Sequence, residues 1–82
     1  MNTAKAKAMA YEAARQHGVS IEYEVGARHW TVNVCAPDGM VFDGGEYSLV
    51  TEWMTKPDAK FWDDVRDEIM KMAPHMKPDT NV

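Results

Sequence analysis

The stretch from Val19 to Asp43 limits the possible folds more than any other part of the chain. Val19, Ile21, Tyr23 and Val25 alternate with Ser20, Glu22 and Glu24. A period of two puts apolar side chains on one face of a strand and polar ones on the other. Gly26-Ala27 interrupts the run. Alternation resumes with Trp30, Val32, Val34 and Ala36 against His29, Thr31, Asn33 and Cys35. Ala36-Pro37-Asp38-Gly39 then reverses the chain. Proline presets the backbone for the first central position of a type I turn, and glycine can take the left-handed conformation that follows. Met40, Val41 and Phe42 make a short returning strand, ended by Asp43-Gly44-Gly45. The pattern predicts a three-stranded antiparallel meander with one face buried and one wet.

Helices flank this sheet. Thr3 to His17 is rich in alanine, the best helix former, and Thr3 is a candidate cap. Ala6, Met9, Ala10, Ala13 and His17 share a stripe of mostly small residues, which predicts close packing on a neighbour. Gly18 sits where a C-terminal cap belongs. Lys5 and Lys7 lie at the positive end of this helix's dipole, which favours a fraying first turn. Pro57 to Ala73 is the best-patterned helix: Phe61, Val65, Ile69 and Met72 form its apolar stripe, and Pro74 stops it. Lys60 with Asp64, and Asp67 with Lys71, are spaced to pair along it. Between sheet and helix, Glu46–Val50 reads as extended and is followed by a turn, although Val50, Trp53, Met54 and Pro57 fit helical spacing equally well. The expected fold is α+β, a small α-β-β-β-α domain with both helices on one face of the meander. It occupies residues 1–75, and 76–82 form a polar, disordered tail.

With 82 residues the core is thin. Such a chain buries about 60–65% of the surface exposed when unfolded. Trp30 is expected in that core, with Trp53 or Trp62 only partly covered. The formal charge of -4 argues against direct binding to nucleic acid or to an anionic membrane. A single cysteine allows no internal disulfide, and no apolar run resembles a signal peptide or a membrane span. A cytoplasmic protein, monomer or homodimer, is expected.

No catalytic, cofactor or metal motif stands out. Cys35 and His29 share a strand face but lie about 20 Å apart along it, too far for a nucleophile and its base. His17, His29 and His75 lack metal-ligand spacing. An enzyme or metal-dependent regulator would have to use His29, Cys35 or Asp43. Asp64, Asp67 and Glu68 share one side of the second helix, with Asp63 beside them. They read either as a solvated face, partly balanced by Lys60, Arg66 and Lys71, or as a carboxylate array that meets a basic patch on a partner. Tyr47, Trp53 and Trp62 are candidate anchors for such a contact, because aromatic residues dominate interface energetics. Met70, Met72 and Met76 could add an adaptable contact surface or simply fill the core.

In size, acidity and lack of catalytic motif the chain resembles the small proteins that phages and mobile elements make to block host machinery, anti-CRISPR and anti-restriction proteins among them. That resemblance implies a non-enzymatic inhibitor that covers a basic, nucleic-acid-binding surface of a host protein. A structural or homodimerising accessory protein is the other non-enzymatic reading.

Overall fold

The computed structural model describes residues 2–27, 29–42, 51–53 and 57–79, with the main chain alone at 51–53. Helix α1 spans Thr3–His17. Its cap is Asn2 and not Thr3: the Asn2 side chain accepts the Lys5 N–H at 2.7 Å. At the other end Gly18 adopts φ 74°, and the Gly18 and Val19 N–H groups donate to Arg15 and Ala14. This is the paired C-terminal cap that a left-handed glycine makes possible. Buried Val19 follows it directly and turns the chain into the sheet.

Strand β1, Ser20–Val25, pairs antiparallel with β2, Trp30–Cys35. The hairpin closes where the Gly26 N–H donates to the His29 carbonyl at 2.7 Å. After β2 the chain reverses as its composition predicts. Met40 N–H donates to the Pro37 carbonyl, and Gly39 takes φ 83°. Yet β3, Met40–Phe42, does not return along β2. The neighbour of β2 is β4, Thr51–Trp53, so the main sheet runs β1-β2-β4. Strand β3 instead pairs with β5, Met76–Pro78, in a second, two-stranded sheet.

The meander is therefore corrected to two small antiparallel sheets. A three-residue strand has too little alternation to fix its own partner, and burial of Phe42 decides where it lies. Met76, opposite Phe42, packs against the same core. Residues 76–78, expected in a disordered tail, are thus held in a strand, and the Asp79 N–H donates to the Gly39 carbonyl at 2.9 Å. Residues 80–82 lie outside the described residues, as does the extended stretch expected at Glu46–Val50. The turn expected after Val50 is replaced by β4.

Helix α2 spans Ala59–Met72. The Asp58 carboxylate caps it by accepting the Phe61 N–H at 2.9 Å, so Pro57 precedes the cap and does not open the helix. The helix passes at Ala73–His75 into a 3-10 turn containing Pro74.

One core joins these elements. Ala6, Ala10, Ala13 and Ala14 of α1 face Phe61, Trp62, Val65 and Ile69 of α2, over Val32 and Val34 of β2. The alanine face lets the helices approach closely, and the Trp62 side chain fills the space this leaves. The expected order of the tryptophans is reversed. Trp62 is 1% exposed, and Trp30 is only half-buried.

Candidate functional site

The residues proposed for partner contact separate into three groups. Trp62 is in the core. Its ring lies 5.4 Å from that of Tyr23, 5.2 Å from Phe61 and 6.0 Å from Tyr11, centre to centre. Lys7 closes this cluster from α1. Its ammonium stands 4.5 Å from the centre of the Tyr23 ring, 5.6 Å from Trp62 and 5.9 Å from Tyr11. The cation faces ring π-clouds while its stem covers apolar surface. Burial, and secondarily Tyr23, push the Tyr11 hydroxyl above its ordinary range. The cluster is a structural device already filled by the protein's own cation, so Trp62 is not a surface anchor. Tyr47 and Asp43 fall outside the described residues, and of Trp53 only the main chain is described, at the register position opposite Trp30.

The acidic residues of α2 remain at the surface. Asp64 and Asp67 are exposed, and Asp63 and Glu68 are half-buried. Cations stand among them. Lys60 Nζ lies 3.2 Å from Asp64, as its spacing predicts, whereas Asp67 and Lys71 do not pair with each other. Arg66 is half-buried on the same helix. This face is mixed in sign, and an exposed pair of this kind contributes little.

The face of the main sheet away from the helices differs. Helices cover the side that carries Val32 and Val34. The other side carries Ser20, Glu22 and Glu24 of β1, all exposed, and Thr31, Asn33 and Cys35 of β2, all half-buried. Register places Glu52 opposite Thr31, which itself faces Glu24. Strands β1, β2 and β4 contain no lysine or arginine. Among the described residues of this sheet, no lysine or arginine stands beside Glu22 and Glu24. Composition did not single this face out, because two glutamates on a strand look like ordinary wet positions until the topology leaves them uncovered.

Catalytic groups do not gather. Cys35 pairs with Ser20 at the end of β2 remote from His29. Burial pushes its thiol pKa up, the Glu22 carboxylate adds to this, and a hydrogen bond with Ser20 partly opposes it. A thiol so placed stays protonated near neutral pH and is a poor nucleophile. Among the described residues, no three of the histidine, cysteine and acidic side chains gather in a way that could hold a metal ion. Asn33 Oδ1, also on β2, is buried without a hydrogen-bond partner among them. No described helix is long and apolar enough to cross a membrane.

No family model, characterised protein or solved structure matches the chain.

Proposed function

We propose that the chain is a small, non-enzymatic protein-binding module whose carboxylates dock on a basic surface of a partner protein and occlude it. Its sharpest form is an inhibitor, of the kind phages and mobile elements make, that covers a nucleic-acid-binding surface. The observation that carries this reading is the exposed pair Glu22 and Glu24 on the sheet face away from the helices, where the described strands hold no lysine or arginine. Asp64 and Asp67 extend the negative surface onto α2. The formal charge of -4 gives the molecule a long-range field of the same sign. Such fields act mainly on the rate of encounter and on the choice of partner.

The test is capture from a lysate of the native host. The bait is used unaltered, as the pair Glu22→Lys with Glu24→Lys, and as the triple Asp64→Lys, Asp67→Lys and Glu68→Lys. The expected result is a basic protein that the unaltered bait retains, that salt releases, and that at least one reversed bait loses. A retained partner indifferent to both sets of reversals would overturn the reading. So would an activity that thiol alkylation or chelation abolishes while the fold survives.

A further inference from the structure

Among the described residues the outer edge of β1 has no strand beside it. In the order β1-β2-β4 it has a neighbour on one side only. Hydrogen-bonding geometry shows which main-chain groups are left over. Gly26 and His29 form a hydrogen-bonded pair at the mouth of the hairpin. Such pairs alternate along an antiparallel ladder. Glu24 with Thr31, Glu22 with Asn33 and Ser20 with Cys35 are therefore the bonded pairs that follow. Val25, Tyr23 and Ile21 occupy the alternate pairs, so their N–H and C=O groups point away from β2. No described residue bonds to them from outside the strand.

We infer that this edge docks an extended, basic segment of a partner protein, which adds to the sheet as a further strand with lysine or arginine at every second residue. The inference rests on the reading of the chain as an acidic binding module and assigns the part of its surface that does the binding.

Charge decides the occupant. A strand laid along β1 places alternate side chains beside the exposed Ser20, Glu22 and Glu24 on the face away from the helices. Opposite charges directly across a strand pair attract, and like charges repel. A second copy of this chain is disfavoured for that reason. In each antiparallel self-pairing centred on Glu22, Tyr23 or Glu24, a glutamate falls opposite a glutamate. Lysine or arginine at those positions reverses the sign of every such contact. The intervening residues would lie on the helix side, alongside Tyr23 and the 64% exposed Val25. Apolar side chains suit that side. Natural edges are blunted by charge, proline or bulges; β1 carries charge alone, which repels a like strand and attracts a basic one, and it has no proline and keeps unbroken register over its whole length. Edge addition of this kind draws affinity from main-chain bonds and specificity from alternate side chains.

The test uses a blocked synthetic peptide, about as long as β1, that alternates lysine and valine. Amide exchange is followed by NMR on the full chain, and affinity by titration. Binding should slow exchange at Ile21, Tyr23 and Val25. Val25→Pro removes one outward donor from an exposed position without touching the ladder to β2, and should weaken binding by about fivefold to tenfold. Val25→Thr keeps the N–H and should leave affinity within about twofold. Glu22→Lys with Glu24→Lys should weaken binding by about tenfold or more and flatten its salt dependence. Each variant's urea midpoint confirms that it is folded. The proposal is overturned if the peptide fails to bind, if Val25→Pro binds as well as the unaltered chain, or if a glutamate–valine peptide binds equally. It is also overturned if sedimentation shows a dimer that Val25→Pro dissolves, since the occupant is then a second copy. Loss of binding on reversing Asp64, Asp67 and Glu68, with Val25→Pro silent, removes the edge but keeps the acidic module. Indifference to every reversal removes both.

Discussion

Replacing Trp62 by alanine should cost this protein far more than replacing Trp30, although Trp30 is the tryptophan whose strand pattern marks it for the core. The structure sets the magnitude. Trp62 is 1% exposed, and truncating a fully buried tryptophan costs about 3–5 kcal/mol. Three rings and one ammonium lose their common partner at the same time. Each aromatic pair adds about 0.5–1.5 kcal/mol beyond area burial, which puts the loss at the upper end of that range. Relaxation into the space is limited, because the buried residues of α1 are alanines whose methyl groups cannot reach into it, which leaves only the cluster's rim, Tyr11 and Lys7 among it, to shift. Trp30 is half-buried, so its truncation should cost about half as much. A domain of this size has a total stability of about 4–12 kcal/mol. Trp62→Ala should therefore lower the melting temperature by about 20 °C or more, or unfold the chain at room temperature. Urea titrations followed by far-ultraviolet circular dichroism give both values, and Trp62→Phe supplies a milder variant that still folds. If Trp30→Ala proves the costlier change, or Trp62→Ala costs under about 1 kcal/mol, the helix–helix core described above is wrong.

Lys7→Met keeps most of the stem and deletes the charge; it should cost about 0.5–2 kcal/mol by the same urea assay, a loss that added salt does not reproduce in the unaltered protein. Gly18→Ala should cost about 1 kcal/mol, since φ is 74° and an added Cβ meets nothing within 4 Å, leaving backbone strain as the whole effect. The Cys35 thiol has its pKa raised on folding, so its contribution to stability is complete below the unfolded value of about 8.5 and is lost as pH rises through the folded value. Urea midpoints measured from neutral to alkaline pH should fall more steeply for the unaltered chain than for Cys35→Ala.

Both helices were legible because each carries several agreeing signals. Alanine content and Gly18 mark α1; the spacing of Phe61, Val65, Ile69 and Met72 marks α2. Alternation over six residues made β1 and β2 equally plain. Helix starts were less legible: Asn2 and not Thr3 caps α1, and Asp58 caps α2, so that Pro57 precedes the helix. The partners of β3 and β4 were out of reach. Three-residue strands carry almost no periodicity, and the pairing of Met40 with Pro78 depends on where α2 delivers the chain. The tryptophans misled for a related reason: room for Trp62 is made by the small side chains of α1, a distant segment whose position opposite it only the packing reveals. Of the candidate site, the acidic face of α2 was visible as a pattern, whereas the exposed edge of β1 follows from strand order alone.

The pairing of β5 with β3 also bears on how the molecule is made. Ribosomal synthesis delivers Met76 to Pro78 after every segment they touch. Until they emerge, the reversal at Gly39 lacks its bond to Asp79 and Phe42 lacks its strand neighbour. The nascent chain can wind its first helix and zip its first hairpin early, because those contacts are local. The last clasp is a late, long-range event, and newly made molecules are most open to proteolysis and to wrong partners in the interval before it shuts.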